Sequence, residues 1–450
     1  MTTAKLYPLT REQQGLYVEF KRDPHDISYN TCVQVSLDGE IDVERFRNAA
    51  SQAVKHFDML RAYVIEENFR PQLAFGEEEY ILPYTDYSTE LLEEDEDIKK
   101  KALAKLNHIR LSAIPLDTFP LINAHLIKTA KNKFYFIGVV PHLISDGVSA
   151  TLFLQSLSVC YNDGEKALQE NFPATDVSWP HYLQFREDKF PKEETDAAFK
   201  YWQHNLEDAS HQVNIGNKPC QRSSNIGQRY KFELDGESAI KLRKIARSNK
   251  TALFSIFSAS LAAFINRYYH VKDLVIGYPV NLRPAGYKNA FGFYVNVLPL
   301  KINVDDNPSF NDLIVKSHNQ RKQDKPFQFL PSLDIVRSKR KSDVSFNGHM
   351  FNISMAETVS RLQNLNIKGI TSTSLDNKTI EIKDDLSLIY EVNEDGISFW
   401  FEYLKEMFAE EQIEDMAKHF ITLLKQMADE PDTKIASFPI LSPFESEAFI

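Results

Sequence analysis

The 450-residue sequence predicts an α/β protein built from two lobes of comparable size. Three observations carry that prediction. Short runs rich in aromatic and β-branched residues alternate with longer runs of helical spacing. The alternation occupies both ends of the chain in a similar rhythm. Between them, from about Gly164 to Ser224, the composition changes: Pro173, Pro180, Pro191 and Pro219 fall among many charges and few sustained apolar periods. Residues 1–175 are therefore assigned to an N-terminal lobe, 176–224 to a connecting segment and 225–450 to a C-terminal lobe. An interface between two such lobes is a preferred place for a ligand channel.

The elements follow in order. Thr10-Arg-Glu-Gln13 has the form of a capping box, in which Thr10 caps a helix and Gln13 reaches back. A helix from about Arg11 to Lys21 follows. Cys32 to Leu37 reads as a strand. Asp42 starts an amphipathic helix with Phe46, Ala49, Ala53 and Phe57 on one face. Arg61-Ala-Tyr-Val-Ile65 is a strand, Tyr80 to Asp95 a polar and acidic surface stretch, and Ile98 to Leu111 a helix. Phe134-Tyr-Phe-Ile-Gly-Val-Val140 is a buried strand. Val148 to Tyr161 is helical. The middle segment carries some helix around Ala197 to Leu206. Beyond it, Tyr230 to Leu234, Asp273 to Val280, Tyr294 to Ile302, Met350 to Met355, Ser387 to Val392 and Ile397 to Tyr403 are strands. Ser238 to Ser248, Ala252 to Tyr268 and Ile413 to Met427 are helices.

The bulk properties exclude several classes. Hydrophobic residues make up 43% of the chain, enough for large cores, and 15 glycines with 20 prolines rule out a fibrous protein. The formal charge of −11, without a dense basic stripe, argues against nucleic acid as a partner. The basic run Arg337-Ser-Lys-Arg-Lys341 reads as a solvated loop. Cys32, Cys160 and Cys220 are odd in number and widely spaced, so they offer neither a zinc site nor a disulfide framework. Cys160 falls in an apolar helical pattern and reads as a core residue. The N-terminus lacks the apolar core of a signal peptide, and no apolar run approaches membrane-spanning length. A cytoplasmic protein is expected.

The most informative stretch is His142-Leu-Ile-Ser-Asp146-Gly147. It places a histidine where a strand ends and an aspartate and glycine where a helix begins. Loops at strand ends are common sites for catalytic side chains, and histidine moves protons near neutral pH. Position alone leaves His142 either a catalyst or a satisfied structural residue. Asp146 either orients it or caps the next helix. Gly147 either permits a turn with positive φ or lets a substrate approach the backbone. Other catalytic patterns are missing: there is no Gly-x-Ser-x-Gly elbow, no His-Glu-x-x-His helix and no phosphate-binding glycine loop. The adjacent carboxylates Asp384-Asp385 and Glu93-Glu94 read as exposed acid. The chemistry rests on a histidine, with no metal site.

This loop resembles the His-His-x-x-x-Asp-Gly signature of condensation domains of nonribosomal peptide synthetases. Further stretches resemble that family's other motifs, in order. Tyr7-Pro-Leu-Thr10 with Gln13, Gly15 and Tyr29-Asn30 is similar to the opening motif, and Lys55-His-Phe-Asp-Met-Leu-Arg61 to the second. Tyr201-Trp202 matches the aromatic pair closing the linker. Ile276-Gly-Tyr-Pro-Val-Asn-Leu-Arg283, Gly292-Phe-Tyr-Val-Asn296 and Leu298-Pro-Leu300 resemble the fifth. Gln323-Asp324 with Pro326-Phe327 resembles the sixth, and Ser345 to Met355 is a weaker copy of the seventh. Asp385-Leu386 and the stretch from Tyr403 to Phe408 match the last strand and helix. Leu441-Ser-Pro-Phe-Glu445 looks like the start of a linker into an adenylation domain. One position departs: Pro141 replaces the first histidine of the pair.

The resemblance implies two chloramphenicol-acetyltransferase-like lobes in a V-shaped pseudo-dimer with a tunnel between them. It implies an acyltransferase that joins an acceptor amine to a carrier-bound acyl or aminoacyl thioester. The substrates ride on phosphopantetheine arms of donor and acceptor carrier proteins, and the domain binds no cofactor of its own. His142 is the implied catalytic residue, as base or as positioner, and Gly147 leaves room for the arm with its N–H toward the oxyanion. Asp146 is implied to pair with Arg61 or Arg283 at the site. Ser149 and Asn296 are offered as tunnel residues, with the alternative that both only satisfy backbone groups. With only five residues before Leu6, a native Met1 implies a starter domain or a donor delivered in trans. Rival readings are an ester-forming or free-substrate acyltransferase and a non-catalytic docking module.

Overall fold

The computed structural model describes residues 5–89, 95–173, 179–207, 209, 213–216, 224–338, 351–358, 364–375 and 379–440. In chain order the elements begin with β1 (Tyr7–Pro8), α1 (Arg11–Arg22), β2 (Asn30–Asp38), α2 (Val43–His56), β3 (Ala62–Glu67) and β4 (Arg70–Phe75). They continue with β5 (Tyr84–Asp86), α3 (Asp95–Arg110), β6 (Asn123–Ala130), β7 (Lys133–Pro141), α4 (Gly147–Asp163), α5 (Glu165–Asn171) and α6 (Trp179–Lys189). Next come α7 (Lys192–Asn205), β8 (Ile226–Asp235), α8 (Gly236–Ser248), α9 (Leu253–Tyr269), β9 (Asp273–Asn281) and β10 (Val295–Asn303). The last are α10 (Phe310–Asp324), α11 (Ser332–Ser338), β11 (Ile353–Glu357), β12 (Thr371–Ser374), β13 (Thr379–Glu381), β14 (Leu386–Val392), β15 (Gly396–Leu404) and α12 (Glu410–Asp429).

The chain forms two compact units. The first holds residues 1–191, 281–295 and 360–376, and the second holds 192–280, 296–359 and 377–450. Two short segments from later in the sequence thus pack into the first unit, and one of them carries Arg283.

In the first unit a five-stranded sheet runs β12-β2-β7-β6-β5, and a small sheet runs β1-β4-β3. β7 is central in the larger sheet, antiparallel to β2 with Asn30 opposite Pro141 and to β6 with Asn123 opposite Val139. Its buried, aromatic character follows from that central place. Phe136 of β7 packs edge-on to Phe46 of α2 and against Phe153 of α4, with centroids 5.5 and 6.4 Å apart. Helix α1 starts with the expected box: Gln13 N–H donates to Thr10 Oγ1, and Thr10 N–H donates to Gln13 Oε1.

The second unit is built on a seven-stranded sheet, β10-β9-β11-β14-β15-β8-β13, in which β14, β15, β8 and β13 run antiparallel in turn and β11 is parallel to β14 and β9. Its core is aromatic: Phe257, Phe264, Phe399, Phe401 and Phe420 are all buried around α9, β15 and α12.

Several expectations need correction. The stretch from Tyr80 is not a surface segment: Tyr80, Leu82 and Tyr87 are buried, and β5 adds a parallel edge strand. Tyr80, Leu82 and Tyr87 are spaced among polar neighbours, so net polarity concealed the pattern. The region after Gly164 holds α5, α6 and α7, anchored by buried Trp179, Tyr182 and Trp202. Few but large aromatic anchors replaced a sustained apolar period there. β6 and α10 were not anticipated. β10 starts at Val295, which leaves Tyr294 in the preceding loop. Cys220, Glu93 and Glu94, the end of the basic run at 339–341, Met350 and the linker-like 441–445 lie outside the described residues. Among the described residues no helix is long and apolar enough to cross a membrane.

Candidate active site

The site grows from the end of β7. Pro141 is its last residue, with φ −62° and ψ 140°, values that suit a proline ring. The missing donor costs nothing there, because the ladder continues one residue on: His142 N–H donates to Tyr29 O at 2.7 Å. The strand therefore runs through Pro141 without distortion. One turn of 3₁₀ helix, His142–Ile144, follows.

The ring of His142 is half-buried and held on two sides. Nδ1 lies 2.9 Å from the Ser145 carbonyl oxygen, and Phe293 stands edge-on with centroids 5.7 Å apart. A carbonyl oxygen only accepts, so Nδ1 must carry the proton. In the neutral ring the lone pair is then on Nε2. This is the arrangement a proton acceptor needs, and a backbone carbonyl sets it.

The turn itself is braced. Ser145 N–H returns to His142 O, and Ser145 Oγ donates to Pro141 O at 2.9 Å. Gln13, fully buried, donates from Nε2 to Leu143 O at 2.8 Å across 130 residues of sequence. The residue that closes the capping box of α1 thus also clamps the carbonyl next to His142.

Asp146 caps α4: its Oδ1 accepts from Ser149 N–H at 2.9 Å. The helix dipole favours a carboxylate at that end. The carboxylate has no exposure to solvent. Arg283 approaches it as a fork, with Nη1 to Oδ2 at 2.7 Å and Nη2 to Oδ1 at 2.8 Å. Tyr294 N–H adds a donor to Oδ2 at 3.1 Å, and Ser149 Oγ lies 2.9 Å from Oδ1. The guanidinium also stacks over the Tyr294 ring, 4.6 Å from its centroid, and donates to Ala290 O. Burial pushes the Tyr294 phenol well above its ordinary pKa, so it stays neutral beneath the cation.

Of the two arginines offered to Asp146, the structure pairs it with Arg283. Arg61 forms a different ion pair, with Asp58 three residues back at 2.5 Å, and donates to Gly76 O. The motif ending in Arg61 folds into its own 3₁₀ turn, Asp58–Arg61, which brings that acid within reach first.

Ser149 is buried, and its hydroxyl is spent on the protein. It donates to Asp146 or Gly292 O and accepts from Gly292 N–H at 3.0 Å and Arg283 Nη2 at 3.1 Å. Gly292 is needed for that contact, since an added Cβ would meet the Tyr294 ring at 2.6 Å. Asn296, in the second unit, donates to Gln328 O and Leu330 O and accepts from Ser332 N–H. Both side chains are engaged by neighbouring groups of the protein. Gly147 opens α4 without a positive φ, so the turn alternative does not apply. It is exposed, and a Cβ there would meet nothing within 4 Å. Its N–H belongs to the first helical turn, where no intrahelical acceptor exists.

Sequence reasoning missed Ser145, Phe293 and Tyr294. Two of them act through backbone atoms, which carry no side-chain signal. Gln13 did carry one, its capping-box spacing, but not the direction of its amide. Among the described residues no group of three His, Cys, Asp or Glu side chains is placed to hold a metal ion.

The condensation domain profile matches residues 3–450. The chain belongs to the condensation domain family. This condensation domain is 25% identical over 461 residues to bacitracin synthase 3 of Bacillus licheniformis, covering 99% of the chain and 7% of that protein. It is 25% identical over 456 residues to surfactin synthase subunit 2 of Bacillus subtilis (strain 168), covering 99% of the chain and 12% of that protein. It therefore spans a small part of the curated relatives it matches. Among solved structures, the starter condensation domain of rhizomide synthetase RzmA in complex with C8-CoA matches with a TM-score of 0.79 at 20% identity, over 97% of this chain and 98% of that one. The first condensation domain of the calcium-dependent antibiotic synthetase matches with a TM-score of 0.78 at 18% identity, over 98% and 100%. These likenesses establish the fold as that of solved condensation domains.

Proposed function

We propose that this domain forms an amide bond between an acceptor amine and an acyl thioester carried on phosphopantetheine. The observation that carries the reading is the hydrogen bond from His142 Nδ1 to the Ser145 carbonyl, which leaves Nε2 as the basic nitrogen. The amine nitrogen adds to the thioester carbonyl. As the C–N bond forms, the nitrogen must lose a proton, and Nε2 accepts it. The C–S bond then breaks, and the proton passes to the departing sulfur, so that an amide and a thiol leave. His142 ends neutral, ready for another turn.

General base catalysis of this kind is worth about 10²–10⁴-fold. Holding amine and carbonyl together is worth more, up to about 7–11 kcal/mol in well-oriented cases. Asp146 and Arg283 act as a clamp: they fix the start of α4 and the 283–294 loop, and with the loop Phe293, against the histidine turn. Donor and acceptor carrier proteins are the partners this reading requires. An adenylation domain downstream belongs to the same reading, as does service as a starter domain.

The direct test mixes the purified chain with an acyl-pantetheine thioester and a simple amine. Mass spectrometry should find the amide in step with free thiol release. A folded chain that makes no amide from any thioester, carrier-bound ones included, refutes the reading.

A further inference from the structure

The carbonyl that aims His142 sits between two anchored points. On one side of Ser145, Gln13 of α1 holds Leu143 O. On the other, Arg283 and Tyr294 N–H hold the Asp146 carboxylate. The Ser145 carbonyl, 2.9 Å from Nδ1, therefore points where these two supports put it. Helix α1 and the stretch from Arg283 to Tyr294 are far apart in sequence, so their relative placement must be set by something that grips both. Helix α6 does so, and all of these residues belong to the first unit.

Arg186 of α6 donates from Nη2 to Glu12 Oε1 at 2.7 Å, and the two side chains are only 14% and 7% exposed. Glu12 lies in the first turn of α1, next to Gln13. One turn back along α6, buried Tyr182 accepts a second bond from Arg186. Burial pushes its phenol up to about 12, so it stays neutral beside the cation. The Tyr182 ring meets Tyr294 edge-on, with centroids 4.6 Å apart. Tyr294 is the residue whose N–H reaches Asp146 and whose ring lies beneath the Arg283 guanidinium. Trp179 and Tyr287 pack on Tyr182 and complete the aromatic cluster. One guanidinium thus links the support at Leu143 to the support at Asp146.

Packing alone does not call for an arginine here. The desolvation of a buried ion pair offsets much of its attraction, and apolar residues of similar volume often stabilise a fold as well or better. What the pair adds is direction. The guanidinium is a rigid planar fork whose donors fix the angle as well as the distance of each partner. We infer that Arg186 is a positioning residue for amide formation: by bonding Glu12 and Tyr182 it sets α1 against the Tyr294 segment, and so aims the Ser145 carbonyl and the His142 ring. The inference rests on the amide-forming reading. Arg186 acts through Glu12 and Tyr182 and moves no proton itself.

The experiment uses the full chain with an acyl-pantetheine thioester and a simple amine. The double variant Glu12→Met with Arg186→Met exchanges the pair for apolar groups, which should leave the melting temperature near that of the wild type or above it. Arg186→Lys keeps the charge without the fork and supplies a second folded variant. In the double variant kcat should fall about 10–100-fold with KM nearly unchanged, because the reacting groups are misplaced rather than unbound. Arg186→Lys should lose less. Nitrogen NMR of ¹⁵N-histidine protein, with the His142 signals identified by their loss in His142→Ala, gives a second readout. His142 should carry its proton on Nδ1 in the wild type and show a mixture of both tautomers in the double variant. A helix that only stabilised the fold would not move that signal. Wild-type kcat with an unchanged tautomer in the folded variants would overturn the positioning role while leaving amide formation standing. So would a rise in KM alone, or a loss of activity that only follows the melting temperature. A wild type that makes no amide would remove the amide-forming reading, and the role in turnover with it.

Discussion

Replacing Arg283 with methionine leaves a carboxylate without its cation in a place water does not reach. Asp146 is fully buried and the Arg283 side chain is only 4% exposed, so neither charge is screened by solvent. Two charge-assisted bonds, at 2.7 and 2.8 Å, are lost together with the stacking on Tyr294. Breaking a buried ion pair by removing one partner costs about 3–5 kcal/mol. Three neutral donors remain on Asp146: Ser149 N–H, Ser149 Oγ and Tyr294 N–H. They place the expected loss near the lower end, about 3 kcal/mol, a large share of an ordinary domain's stability. Arg283→Lys keeps the charge but not the fork, and should lose less. In the double variant Asp146→Asn with Arg283→Met, the losses should fall short of additivity by about 1–3 kcal/mol. Urea denaturation followed by tryptophan fluorescence is a suitable assay, since Trp179 packs edge-on to Tyr294 with centroids 6.1 Å apart. A loss under about 1 kcal/mol, the worth of an exposed pair, refutes the reasoning.

Two further predictions concern buried groups. Burial raises the pKa of Asp324 from its ordinary 3.8 to about 6, despite bonds from Tyr201 and Gln320. A carboxyl raised on folding contributes stability that is complete below about pH 4 and lost as pH rises through about 6. Asp324→Asn should therefore flatten a decline of up to about 3 kcal/mol between pH 4 and 7, and an unchanged slope in pH-dependent denaturation would count against it. Gln13→Met removes the donor to Leu143 O, and Thr10→Ala removes only the cap. Gln13→Met should lower kcat of amide formation well beyond Thr10→Ala at matched stability; equal effects would reduce Gln13 to a helix cap.

Much of the architecture was legible because it rests on local pattern. A short apolar run rich in aromatic and β-branched residues gave β7, helical spacing gave α4, and the Thr10–Gln13 spacing gave the start of α1. The strands at Asn123–Ala130 and Arg70–Phe75 were not legible, because His125, Lys128 and Arg70 dilute the apolar signal there. The candidate site divided in the same way. His142, Asp146 and Gly147 stand together in sequence and could be read together. The choice of Arg283 over Arg61 could not, because it depends on the 281–295 segment packing into the first unit. Nor could the partner of Nδ1, since a carbonyl is common to every residue and only the turn at His142–Ile144 aims that of Ser145. The partners of Ser149 and Asn296 were not legible either, because residue type does not reveal which backbone groups, or which of Asp146 and Arg283, a polar side chain will meet.

The central claim is that the lone pair on His142 Nε2 takes the proton of the attacking amine. Its most direct test is the rate of amide formation by His142→Ala beside the wild type, with thermal melting measured on both. The expected result is a fall of about 10²–10⁴-fold in turnover with the melting temperature nearly unchanged. Turnover close to that of the wild type in the folded variant would contradict it.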